Sequence, residues 1–214
     1  LCDTARETCD DSRVITSPIK STLLLAWSTG DARSGLVLTV NTAGGTTPFQ
    51  GFTVSNGKFV DTIATAAGAP ALSTITAATL TDLGSGPVAL LASNNAIAAF
   101  TYNEAGKLLS YDSGISMRLN TALVNYLAIN SFAVGDLDQD KLPDAAVTIS
   151  GRPTSVDLLS NRGDGVLAPA NLSSALNMAN VTASEIGDIN GDGVNDLILA
   201  GSDKSIAIFR NSAK

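Results

Sequence analysis

Histidine is absent from all 214 residues of this chain. That excludes Ser-His-Asp and Cys-His catalysis together with His-ligated zinc and haem. Cysteine is nearly as scarce, with only Cys2 and Cys9. A disulfide between them would close a small loop in an N-terminal arm over residues 1–12; two free thiols are the alternative. Glutamate stands only at Glu7, Glu104 and Glu185, and most aspartates fall in the loops described below. No paired-carboxylate motif is therefore visible, and an enzyme is not expected.

Positive charge is also short. The net charge is −7 and no Lys/Arg cluster exists to displace counterions from phosphates, so nucleic acid and anionic membrane surfaces are not expected partners. No apolar run exceeds the length of Leu23–Trp27, against the roughly 20 residues needed to span a bilayer, so membrane insertion is not expected either. The chain opens on Leu without a hydrophobic signal segment, and is expected to be a mature or trimmed product. Aromatic residues make up 5% of it and do not recur at equivalent positions, which disfavours a sugar-stacking lectin.

Apolar residues reach 44%, enough for a core, and Gly, Ser, Thr, Ala and Asn favour short strands joined by tight turns. A repeat then emerges. Residues 131–161, SFAVGDLDQDKLPDAAVTISGRPTSVDLLSN, align with residues 183–211, ASEIGDINGDGVNDLILAGSDKSIAIFRN. Both run as apolar strand, Gly-Asp, acidic loop, apolar strand, turn, apolar strand, Asn. Degenerate copies precede them at residues 75–103 and 22–56. The aligned Asp31, Asp82, Asp136 and Asp188 stand 51, 54 and 52 residues apart.

No segment keeps a sustained helical stripe; Ser116–Ser131 is the one candidate for a turn or two of helix. Four-stranded units at this period predict an all-β fold, a small β-propeller of about four blades with four antiparallel strands each. The propeller is expected over residues 13–214, with blades at about 21–66, 71–115, 126–172 and 181–214. The last unit reads as only three strands, ending at Ile206–Asn211. The segment Ser12–Thr16 is expected to supply its fourth strand and close the ring, with pairing to another molecule as the alternative.

Two loops carry the chemistry. Calcium takes oxygen ligands, and a tight loop around it offers side chains at its first, third, fifth and ninth positions and a carbonyl at its seventh. One loop supplies Asp136, Asp138, Asp140, the carbonyl of Leu142 and Asp144. The other supplies Asp188, Asn190, Asp192, the carbonyl of Val194 and Asp196. An EF-hand would need an acid at the twelfth position between helices, where Val147 and Leu199 stand within strand-like runs. The loops after Asp31 and Asp82 hold too few oxygen ligands for metal. Lys141 stands where the other loop has Gly193, which is expected to make the first site the weaker if the turn needs positive φ.

On these residues the units resemble FG-GAP/VCBS-type repeats, the blades of integrin α-chain propellers and many secreted proteins. The resemblance implies two Ca2+ ions held by the ten residues just named, in loops joining the first two strands of a blade. It also implies an extracellular or cell-surface setting, which favours the Cys2–Cys9 disulfide. The function it implies is a calcium-stabilised binding or adhesion module for extracellular protein or glycan. A structural subunit of an extracellular assembly, using the N-terminal arm, and a propeller lectin are the alternatives. Arg162-Gly163-Asp164 spells an integrin-recognition tripeptide but falls where the repeat needs a hairpin turn. Asn171 and Asn180 head N-glycosylation sequons.

Overall fold

The computed structural model describes residues 2–3, 8–9, 23–28, 35–43, 49–55, 58–65, 71–84, 86–93, 96–103, 108–116, 129–149, 154–163, 167–176, 178 and 180–212. The expected closing strand at Ser12–Thr16, the loop at Asp31, and Asp164 lie outside these residues.

Strand dominates them. A short antiparallel pair, β1 (Cys2–Asp3) and β2 (Thr8–Cys9), sets Cys2 opposite Cys9. Four antiparallel meanders follow, in the register of the repeat. The first comprises β3 (Leu23–Ser28), β4 (Gly35–Val40), β5 (Phe49–Ser55) and β6 (Lys58–Thr65). The second comprises β7 (Ile75–Asp82), β8 (Pro87–Ser93), β9 (Ala96–Asn103) and β10 (Leu108–Asp112). The third comprises β11 (Ile129–Gly135), β12 (Asp144–Ile149), β13 (Thr154–Asn161) and β14 (Leu167–Leu176). The fourth has three strands among the described residues: β15 (Val181–Gly187), β16 (Asp196–Gly201) and β17 (Ile206–Phe209). This is an all-β fold of blade-like units.

One detail departs from the sequence reading. The outer strands β6 and β10 pair in parallel, Leu108 with Ala64 and Leu109 with Thr65, so the first two units share one eight-stranded sheet. Each would otherwise present an unpaired edge, and the join satisfies backbone groups on both. Of the helical candidate Ser116–Ser131, residues 117–128 lie outside the described residues; Ser116 ends a single helical turn at 113–116, started by the Asp112 carboxylate accepting the Ile115 N–H at 2.9 Å. The candidate's last residues, from Ile129 on, lie in β11, because Ile129 and Phe132 are drawn into the core. No helix among the described residues is long and apolar enough to cross a membrane.

Strand periodicity explains how the units stack. In β8, Ala89 and Leu91 face the first unit, where they meet Leu36, Leu38, Val40 and Phe49. Val88, Leu90 and Ala92 point the other way, against Ile129, Val147 and Ile149 of the third unit. Likewise β12 sends Ala145 and Val147 back to the second unit and Ala146 forward to Val181, Ile186 and Leu199 of the fourth. A strand covered on both faces reads as a continuous apolar run, which is why PVALLAS and DAAVTI do not alternate while β4 does. Each fully buried Leu, Ile or Phe here contributes about 1.5–3 kcal/mol of transfer free energy. Phe49 and Phe100 meet edge to face at 4.8 Å across the first joint.

Hydrogen bonds tie neighbouring inner strands as well. Thr76 Oγ1 donates to the Ile129 carbonyl at 2.7 Å, and the hydroxyls of Ser131 and Ser184 bond each other across β11 and β15. At that joint Gly135 has no room for a side chain: a Cβ would lie 2.5 Å from Ile186 Cγ2. The units thus stack in sequence order and bring the loops after β11 and β15 side by side.

Candidate metal centre

Both acidic loops join the first and second strands of their units, β11 to β12 and β15 to β16. They fold by one hydrogen-bonding scheme. The opening carboxylate caps its own loop: Asp136 accepts from Gln139 N at 2.7 Å and Lys141 N at 2.9 Å, and Asp188 from Gly191 N at 2.7 Å and Gly193 N at 2.8 Å. The third and fifth positions brace the next turn. Asp138 accepts from Asp140 N and Asp140 from Leu142 N; Asn190 accepts from Asp192 N and Asp192 from Val194 N.

The closing aspartates are buried, Asp144 to 3% and Asp196 to 0% exposure. Each spans two chain segments. Asp144 accepts from Leu137 N and Asn161 N, both at 2.9 Å. Asp196 accepts from Ile189 N at 3.4 Å and Asn211 N at 2.8 Å. A carboxylate so placed locks the loop's start to the end of the third strand of its own blade.

The turns demand positive φ at the fourth and sixth positions. Gly191 (76°) and Gly193 (84°) supply it in the second loop, whereas Gln139 (69°) and Lys141 (70°) are forced into it in the first. A residue with a Cβ in this region costs roughly 1–2 kcal/mol. Gly193 signals the sixth-position requirement in the sequence, and Gly191 signals the fourth-position one at Gln139 in the same way, although the sequence reading drew only the first.

Electrostatics distinguish the two loops. Burial pushes the Asp144 carboxyl above its ordinary value; N–H donors from Asn161 and Leu137 oppose this, and the nearby Asp138 and Asp140 charges add to it. The N–H of Gly193 holds exposed Asp188 below its ordinary value; desolvation opposes it, and the N–H groups of Gly191, Asp192 and Asn190 add to the lowering.

Oxygens of Asp136, Asp138 and Asp144 come within 4.8 Å of one another. Ligands at 2.3–2.6 Å from one calcium ion lie no more than about 5 Å apart, so this group could hold a metal ion. Its all-carboxylate chemistry suits a hard cation rather than zinc or copper. Asp140 stands outside the trio. In the second loop the third position is Asn190, so only Asp188 and Asp196 are carboxylates at the positions equivalent to the trio; Asp192, the counterpart of Asp140, accepts from Asn190 Nδ2 at 3.0 Å.

The degenerate loop after β7 keeps only the capping role: Asp82 accepts from Gly84 N and Gly86 N at 2.8 and 2.9 Å. Arg162 and Gly163 lie exposed in the turn between β13 and β14, where Gly163 takes φ 86° and donates to Asn161 Oδ1. Two residues the sequence reading did not assign reach between loops. Asn195 Nδ2 donates to the Asp136 carbonyl at 2.9 Å, and Asn211 Nδ2 to the Leu137 carbonyl at 2.5 Å. The aligned units both end in Asn, and what the two share is the backbone bond: the N–H groups of Asn161 and Asn211 each donate to the closing aspartate of their own loop.

A search of the curated proteins found no match. A scan against family models matches residues 136–199 to the FG-GAP-like repeat, an interval that begins at the first aspartate of one acidic loop and runs through the whole of the other into β16. Over that interval, within an all-β stack of blade-like units, this chain carries an FG-GAP-like repeat.

Proposed function

We propose that this chain is an extracellular, calcium-stabilised β-propeller module that binds a protein or glycan. The observation that carries it is the convergence of Asp136, Asp138 and Asp144 in a loop whose hydrogen bonding is duplicated at Asp188–Asp196. Calcium would be held in one loop by Asp136, Asp138, Asp140, the Leu142 carbonyl and Asp144. The other set is Asp188, Asn190, Asp192, the Val194 carbonyl and Asp196. Its chemistry there is to neutralise crowded carboxylates and fix the loop, without turnover of a substrate. The Cys2–Cys9 register, with directly opposed Cα atoms at about 4.5–5.5 Å, suits a disulfide and an oxidising compartment. Calcium titration by calorimetry tests the reading: two bound ions support it, and no heat of binding with the intact protein overturns it. Glycan arrays and capture of secreted or surface proteins then identify the partner class, lectin activity being one outcome.

A second reading, a structural subunit of an extracellular assembly, is favoured by β17. Ile206 and Ile208 are 70% and 46% exposed on that strand, which lies at the margin of the three-stranded unit. Large apolar side chains on such a margin need a cover. In the module reading that cover is Ser12–Thr16 of the same chain, closing the ring; in the assembly reading it comes from another copy. Light scattering of the purified protein, with and without residues 1–16, decides between them. A monomer that turns oligomeric on truncation supports closure, and an oligomer in both forms supports assembly.

A further inference from the structure

We infer that the two acidic loops bind calcium cooperatively, coupled through the side-chain amides of Asn195 and Asn211. The inference rests on the calcium reading above. Neither asparagine belongs to either ligand set; both reach from the fourth unit into the backbone of the third unit's loop.

The connection is continuous. Asp196, which closes the second loop, accepts the Asn211 N–H. The Asn211 amide donates to the Leu137 carbonyl, and the Leu137 N–H donates to Asp144, which closes the first loop. Beside this path Asn195, within the second loop, donates to the carbonyl of Asp136, the first residue of the other loop. Leu137 and Val194 are anchored too, Leu137 against the apolar joint between the third and fourth units and Val194 by burial. A shift of either loop therefore moves acceptors or donors belonging to the other.

Binding at one loop fixes backbone that the partner loop must otherwise fix for itself. The second ion then meets a lower ordering cost, which is positive cooperativity without a change of fold. Linkage makes the effect reciprocal, and couplings of this kind lie at about fivefold or more in affinity. The arrangement also fits the strain in the first loop. With Gln139 and Lys141 in left-handed conformations its turn is the costlier of the two to hold, and it gains from its glycine-containing neighbour.

The test is calcium calorimetry on the full chain, with melting in chelator as a check of folding. The intact protein is expected to bind two ions with a Hill coefficient above unity. Asp192→Ala, which disables the second loop, is expected to weaken binding at the first by about fivefold or more. In an Asn195→Ala/Asn211→Ala background the same substitution is expected to leave the first loop's affinity unchanged. Two independent binding events in the intact protein overturn the coupling while leaving the calcium reading standing; no binding at all overturns both. Should the double variant lose its cooperative melt, Asn195→Ala alone replaces it, and undiminished cooperativity there removes Asn195 from the path.

Discussion

The side-chain amide of Asn211 donates to the carbonyl of Leu137, joining the segment just after β17 in the fourth unit to the acidic loop of the third at 2.5 Å. The backbone N–H of the same Asn211 is held by Asp196. One residue therefore secures a loop in its own blade and a loop in the preceding one. What stabilises a single loop in this protein also registers one blade against the next, and the consequences can be measured.

Calcium should act as a thermal stabiliser. At about ten times its dissociation constant, an ion adds roughly 1.4 kcal/mol per site. For a chain of this size that corresponds to a Tm rise of about 3–6 °C per site, by the usual relation of about 2–4 °C per kcal/mol. Differential scanning calorimetry in calcium and in excess chelator reads it directly, and superimposable melts would remove the metal assignment.

Two equivalent glycines should respond oppositely. A Cβ at Gly135 would meet Ile186 Cγ2 at 2.5 Å, whereas at Gly187 it would meet nothing within 4 Å. Gly135→Ala is expected to cost about 1–3 kcal/mol, as overpacking of a close joint does, while Gly187→Ala is nearly neutral. Urea denaturation of both variants makes the comparison, and equal losses would mean that the joint between β11 and β15 is looser than described.

Lys141→Gly should stabilise. Relief of left-handed strain is worth about 1–2 kcal/mol, and the extra freedom of glycine in the unfolded chain returns about 0.5–1. A net gain of about 0.5–1 kcal/mol is expected, with the same sign for Gln139→Gly. A fall in the urea midpoint for both would show that these side chains contribute more than their backbone conformations cost.

The pH dependence in excess chelator should separate the two aspartates. Asp188 has a lowered folded pKa, so its contribution is present above the unfolded value of 3.8 and is lost as pH falls through the lower folded value. Asp144 has a raised folded pKa and works in the opposite sense: its ionisation opposes folding, increasingly as pH rises from 3.8 through the folded value. Asp188→Asn is therefore expected to flatten the loss of stability below pH 3.8, measured as Tm against pH. An unchanged acid limb would contradict the capping role of Asp188.

The N-terminal pair offers a chemical readout. Cys2 and Cys9 stand opposite each other in register, so the protein purified without reductant is expected to show no reactive thiol and a mass short by two hydrogens. Two titratable thiols in the native material would rule the disulfide out.

Much of the candidate site was legible because it is local. Within nine residues, alternate Asp and Asn side chains reach backbone N–H groups two to five positions on, so their spacing alone announces the loop. Strand positions in the second unit were equally plain, since Gly, Pro and Asn turns punctuate apolar runs that only a pleated sheet can bury on both faces. The repeat period and the equivalence of Asp82, Asp136 and Asp188 followed from the same local chemistry.

The tertiary structure decided what depends on distant partners. Asn211 and Leu137 are 74 positions apart and Asn195 and Asp136 are 59 apart, so no local spacing signals that these amides link two loops. Gly135 and Gly187 look alike in sequence and differ only because Ile186 of the next blade lies against one of them. The parallel join of β6 to β10 arises from two outer edges meeting in space. Sequence specifies each blade through contacts a few residues long; stacking then assigns roles to residues whose neighbours belong to another blade.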